Sequence, residues 1–178
     1  LFIVKYMVRR FFRGMFFFLI EIGFMQILVK ELINKPDKSN VLIGSSIGLK
    51  FIGAISSTIL SNTLAFFLID DLIIRRMVLI LSIHFFALSF DTFNSFFQFK
   101  VKEKFRIVSH TISFTISSFV KVYLILNNFP LEYFAYSYAL DFIISSILKA
   151  YLYSKTGNSL LKLKIDFTII KYLVLSSW

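Results

Sequence analysis

Apolar residues along this chain gather into five runs, at 11–29, 44–69, 77–97, 107–126 and 131–151, separated by short breaks that carry most of the charge. A helix rises about 1.5 Å per residue, so roughly 20 apolar residues cross the hydrocarbon of a bilayer. The pattern predicts an all-α, polytopic bundle of transmembrane helices. A sixth run opens near Phe167 and continues to Trp178, and the chain itself starts on the apolar stretch Leu1 to Val8. These ends predict one membrane domain over 1–178 that is a piece of a longer protein.

Within the runs, polar residues recur at three- and four-residue steps and so share one face of each helix. The second run carries Ser46, Lys50, Gly53, Ser57 and Ser61, and the third His84, Ala87, Asp91, Asn94 and Gln98. The fourth carries His110, Ser113, Ser117 and Lys121, and the fifth Tyr138, Asp141, Ser145 and Lys149. Stripes of serine and glycine suit close helix packing, and Gly44, Gly48 and Gly53 fit that role. Lys50, Asp91, Lys121 and Asp141 differ, because they sit well inside their runs, where a charge facing lipid is costly. They are expected to face one another or a wet cavity and, with Gln98, to form the candidate substrate pathway. Lys149 and Glu132, nearer the ends of the fifth run, are expected to reach water, and Glu21 falls in the first run.

Composition agrees with a membrane protein. Mean hydropathy is +0.78, 57% of residues are hydrophobic and only 17% are charged, too apolar a balance to cover the surface of a soluble domain of this size. The absence of cysteine excludes disulfides, iron–sulfur clusters and thiolate-bound zinc. The 24 phenylalanines, with the many Ile, Lys and Asn, are what an AT-rich genome encodes and need no functional cause.

The net charge of +10 points to nucleic acid until the basic residues are placed. Lys30, Lys35 and Lys38 flank one break, Lys100, Lys102, Lys104 and Arg106 another, and Lys149, Lys155, Lys162, Lys164 and Lys171 follow the fifth run. The alternate breaks hold only Arg75 and Arg76, beside Asp70 and Asp71, in a loop at 70–76, and no basic residue at 127–130. That asymmetry is the positive-inside bias, which predicts cytoplasmic loops in the 30s, the 100s and 152–166. Short loops between spans offer no continuous basic surface, so no nucleic-acid partner is expected. Lys5, Arg9, Arg10 and Arg13 break the rule, since they fall on the outer side of the first span.

Enzyme signatures are absent: there is no Walker loop, GxGxxG or HExxH, and His84 and His110 stand on separate helices. Asp70 and Asp71 lack a second acidic cluster and are followed by two arginines, so a solvated loop accounts for them better than a metal–diphosphate site. No enzyme activity, catalytic residue, metal or other cofactor is expected. In the 152–166 loop and just after it, Leu160, Leu161, Leu163, Ile165 and Phe167 stand among Lys162, Lys164 and Asp166. The near alternation argues for an extended strand, but with no sheet partner in sight a short interfacial helix is expected, its lysines touching anionic lipid headgroups.

Several phrases carry a family resemblance. "IGFMQILVKELINKPDKSNVLIGSSIGLKFIG" resembles the junction between the second and third helices of the polysaccharide (O-antigen) flippases, Wzx-type members of the MATE-like (MOP) exporter superfamily. "FDTFNSFFQFKVKEKF" is similar to their fourth helix, with an aromatic-Gln pair before a lysine-rich turn. "SSFVKVYLILNN" and "YALDFIISSILKAYLYSKTGN" match the fifth and sixth, and "DFTIIKYLVLSSW" resembles the start of the seventh. The likeness covers 22–178. At the front, "MVRRFFRG" stands where the family has a "GPxxFG"-like turn, and a frameshift near residue 14 would account for the misplaced basic residues.

The resemblance implies about half of a MATE-like transporter of 12 or more helices, in a bacterial cytoplasmic (inner) membrane. It implies a transporter that flips undecaprenyl-diphosphate-linked oligosaccharide, an O-antigen or capsule repeat unit, with membrane lipids and other polysaccharide-assembly proteins as further partners. The alternatives are a MATE-like drug or metabolite exporter, or a membrane-embedded polysaccharide polymerase or acyltransferase. The very short outer loops count against the enzyme alternative.

Overall fold

The structure, a computed structural model, describes residues 24–176, and these form helices and turns without a strand. The first run, 11–29, therefore lies mostly outside the described residues, as do Glu21 and the basic segment at 5–13; only its end is seen, as helix α1 at 24–34. A 3₁₀ turn, Pro36–Lys38, then leads into α2, Ser39–Leu68, which at 30 residues is about 45 Å long. Pro36 suits this start, because its fixed φ favours the first helical turn and its missing N–H would find no partner there.

The loop expected at 70–76 is shorter than the charges suggest. Asp71 caps α3, Leu72–Leu81, by accepting a 2.8 Å hydrogen bond from the Ile73 amide, so Arg75 and Arg76 already belong to a helix. The Arg75 Nε donates back to the Ile69 carbonyl, and its guanidinium lies 4.9 Å from the Phe66 ring centre, which fastens the turn to the end of α2. The expected span 77–97 is likewise not one regular helix. It is α3, a break at Ser82, α4 (Ile83–Ala87), a 3₁₀ turn (Leu88–Asp91) and α5 (Thr92–Phe99). Ser82 Oγ donates to the Val78 carbonyl at 2.8 Å and accepts from Asn62 Nδ2 of α2 at 2.9 Å. Back-bonding of this kind bends helices, and here the bend is pinned to a neighbour.

Helices α6, Lys104–Leu126, and α7, Leu131–Lys155, form an antiparallel hairpin. Along α6, Ser109, Ser113 and Ser117 are fully buried and return their hydroxyls to carbonyls three residues back, at 2.9, 3.1 and 3.1 Å. Across from them α7 buries Ala135, Ser137 and Ala139, and Ser137 Oγ donates to the Ser117 carbonyl at 3.3 Å. Small residues on both helices let the backbones approach closely. The chain closes with a 3₁₀ turn, Leu160–Lys162, and α8, Phe167–Ser176.

Among the described residues, three helical stretches are long and apolar enough to cross a membrane: Pro36–Leu68, Leu72–Phe99 and Lys104–Leu126. α7 is long enough at 25 residues but more polar, and α8 is a short apolar helix. The exposed side of α2 carries Ile52, Ile55, Ile59, Leu60, Leu64 and Phe67, an apolar face suited to hydrocarbon.

The main core sits at one end. Leu28 and Leu32 of α1, Leu42 and Ile43 of α2, Phe93, Phe96 and Phe97 of α5, Tyr153 of α7 and Leu173 of α8 pack into one cluster. Its aromatic centre is Tyr153, with ring centres 4.6 Å from Phe93 and 4.8 Å from Phe96.

The expected interfacial helix at 152–166 does not form. α7 runs on to Lys155, only Leu160–Lys162 makes a 3₁₀ turn, and 163–166 has no regular structure, with Leu163 extended. The alternation of apolar and charged residues prevails, but among the described residues no second strand pairs with the segment. Instead it lies along α2: a methyl group on Gly44 would stand 2.4 Å from the Lys164 carbonyl oxygen, and one on Gly48 would stand 3.3 Å from the Ile165 side chain. Gly53 has nothing within 4 Å of that position, so the small-residue contact extends over two of the three glycines.

Candidate functional site

Asp91 closes the 3₁₀ turn between α4 and α5, at the bend in its span. Its Oδ1 receives Lys149 Nζ of α7 at 2.5 Å and Asn94 Nδ2 of α5 at 3.3 Å. The two charged side chains are 10% and 20% exposed, so the pair is largely out of water. Lys149 was expected to reach water from near a span end, but α7 continues six residues beyond it and its bulk is buried. The bend is held to α7 at two further points: Ser146 Oγ donates to the Ala87 carbonyl at 3.3 Å, and the His84 ring packs 4.0 Å from Phe142.

The remaining candidates are distributed around this centre. Lys50 is half-buried on α2, with its buried Nζ 5.8 Å from the Phe24 ring centre. Lys121, on α6, places its Nζ 4.0 Å over the Tyr138 ring of α7, a cation–π contact that joins two of the polar stripes. Asp141 is half-buried on α7 and has no ion pair among the described residues. Gln98 is exposed in the last turn of α5, at the lysine-rich end. The structure thus joins Asp91 to Lys149, whereas Asp141, Lys121 and Gln98 remain separate from that pair.

Several buried hydroxyls line the same bent helix. Ser89, Thr92 and Ser95 are fully buried, and among the described residues their side-chain oxygens have no hydrogen-bond partner. No group of three or more His, Asp or Glu able to hold a metal occurs among the described residues.

A second polar cluster lies at the lysine-rich end. Glu31 of α1 receives Lys35 Nζ at 2.9 Å and the Tyr172 hydroxyl of α8 at 2.9 Å, and Lys35 lies 5.3 Å from the Tyr172 ring centre. The Lys35 hydrogen bond holds the Glu31 carboxyl below the usual glutamate value, against the opposing effect of burial. The same contact raises the Lys35 ammonium. Nearby, Lys100 lies over Phe99, Lys104 over Phe105 and Lys155 over Tyr151, at 4.6, 5.6 and 5.0 Å from the ring centres.

Sequence reasoning placed Asp91 and Lys149 on the polar stripes of separate helices but gave Lys149 to water, because it put the end of the fifth span at 151. The helical propensity of "SSILKAYLYSK" was the signal that the helix continues. No family model, curated protein or solved structure matches the chain.

Proposed function

We propose that this chain is part of a membrane transporter that flips a polyprenyl-diphosphate-linked oligosaccharide across a bacterial cytoplasmic membrane. The observation that carries the reading is a set of ionisable side chains, Lys50, Asp91, Lys121 and Asp141, within helices of membrane-spanning length or beside them. Such charges are expensive in hydrocarbon, and within spans they mark pathways or paired assembly sites. The sequence resemblance chooses among transporters, and the site chemistry is compatible with it. A diphosphate is anionic and suits lysine, whereas sugar hydroxyls suit Gln98, Asn94 and Tyr138. Alternating exposure of such a path would come from rocking of helix groups.

Asp91 is better read as a structural anchor of this path than as a free ligand group, because Lys149 neutralises it. Lys121, Asp141 and Gln98 are the residues whose removal tests transport with least damage to the fold. In cells that depend on the protein, Lys121→Gln, Asp141→Asn and Gln98→Ala should each lower surface polysaccharide while membrane abundance stays near normal. Unchanged polysaccharide in all three, or abundance falling in step with it, would overturn the assignment.

A further inference from the structure

The segment between α7 and α8 is mounted on α2 rather than lying free. Ser45 Oγ accepts a 2.9 Å hydrogen bond from the Asp166 amide and donates to the Asp166 carbonyl at 3.3 Å. The Lys164 backbone crosses α2 at Gly44, where no side chain could be accommodated without movement. Leu163 turns in and packs on the main core. Asp166 then caps α8, its carboxylate accepting from the Thr168 amide at 2.8 Å.

With its backbone so held, the strap turns a different set of groups outward. Leu161 is 96% exposed, Phe167 76% and Ile165 60%, and Lys162 and Lys164 between them are exposed too. Large apolar side chains alternating with lysines do not suit bulk water, nor do they suit hydrocarbon alone. Gly44 lies five residues into α2, so the strap crosses about 7.5 Å from that helix's start, at the lysine-rich end of a helix long and apolar enough to span a membrane. The strap's one acidic residue is Asp166, whose carboxylate is already engaged with the start of α8.

We infer that residues 160–167 form a lipid-binding foot: Leu161, Ile165 and Phe167 enter the acyl boundary while Lys162 and Lys164 bind anionic headgroups, all held in place by Gly44 and Ser45. The inference rests on the membrane-spanning character of α2 and is independent of what the protein transports. Anionic headgroups are the chosen occupant because the exposed charge is basic while the apolar residues beside it require a non-aqueous neighbour.

The test places a bimane label on Leu161→Cys in the otherwise cysteine-free chain, reconstituted in nanodiscs of mixed phosphatidylcholine and phosphatidylglycerol. Brominated phosphatidylglycerol is expected to quench the label more strongly than brominated phosphatidylcholine. The ratio of the two association constants should fall about fivefold for each of Lys162→Gln and Lys164→Gln, the loss for one surface lysine. Gly44→Ala and Ser45→Ala, separately, should reduce lipid quenching at the same position by unseating the strap. Equal quenching by the two lipids would remove the anionic preference. Quenching by aqueous iodide alone would place the segment in water, and quenching by neither would show that protein covers it; each of these results overturns the inference.

Discussion

At the scale of single residues, the Asp91–Lys149 pair is the contact whose two halves are least separable. Removing one partner leaves an uncompensated charge in a poorly hydrated place, at a cost of about 3–5 kcal/mol, whereas replacing both by apolar residues of similar size is often neutral. Lys149→Ala should therefore lower the unfolding temperature in detergent markedly, and Asp91→Leu with Lys149→Met should recover most of the loss. A double variant no better than the single one would show that the pair contributes something beyond charge balance. Glu31, also buried but at the lysine-rich end, makes a second prediction. Its folded pKa is depressed by Lys35 and Tyr172, so its contribution is present above the unfolded glutamate value and is lost as pH falls through the folded one. The stability gap between the natural chain and Glu31→Gln should accordingly be full at neutral pH and narrow as pH falls below the ordinary glutamate value. Followed by thermal unfolding, a gap that widened on acidification would contradict this sign. The polar stripes made these residues visible in the sequence, but pairing was not visible. Periodicity tells which residues share a face and not which face meets which, so Lys149 could be placed only when α7 was seen to continue past it.

At the scale of elements, the helix ends show which local rules the sequence follows and which it breaks. α6 ends with Asn128 in the left-handed region at φ 53°, and the Phe129 amide returns to the Leu124 carbonyl at 3.0 Å, a termination for which asparagine is well suited. α5 ends in the same way, with the Lys102 amide on the Phe97 carbonyl at 2.7 Å, yet the left-handed position is held by Val101 at φ 54°. A β-branched residue there is strained, and Val101 is 88% exposed, so no packing offsets the cost. Val101→Gly should raise stability by about 1 kcal/mol, whereas Asn128→Gly should be nearly neutral; calorimetry of the two variants side by side distinguishes the cases. Helix length and position were largely legible, because hydrophobic runs and the 3.6 period dominate. Boundaries were less so: Asp71 and the two arginines looked like a charged loop until the cap was seen. The strap at 163–166 was illegible for a deeper reason, since its conformation is fixed by Gly44 and Ser45, more than a hundred residues away in sequence.

At the scale of the whole molecule, three basic breaks that are far apart in sequence come together at one end. Leu32 and Leu42 flank the break at 35–38, Phe97 and Phe105 flank that at 100–103, and Tyr153 and Leu163 flank the segment after α7; all six belong to the main core or pack directly against it. The other end is joined by different contacts: Ala65, Ile69 and Val78 close the α2–α3 turn, and Ile80 packs with Ala135 and Ala139 beside the α6–α7 turn. That second end carries a run of aromatic contacts, Tyr123 with Phe129 at 6.1 Å, Phe129 with Tyr133 at 5.0 Å and Tyr133 with Tyr136 at 6.4 Å, the kind of girdle found at a membrane–water boundary. The lysines gathered at the first end give the molecule a polarity, and the positive-inside bias predicts that this end faces the cytoplasm. Single cysteines at Ser39, Lys102 and Asn158 should then resist a membrane-impermeant thiol reagent in intact cells and react once the membrane is opened. A cysteine at Asn127 should react in both conditions. Reversal at all four positions would invert the orientation. A mixed result at the first three would deny that the lysine-rich breaks share one side of a membrane at all, because one core cannot lie on both faces of a bilayer.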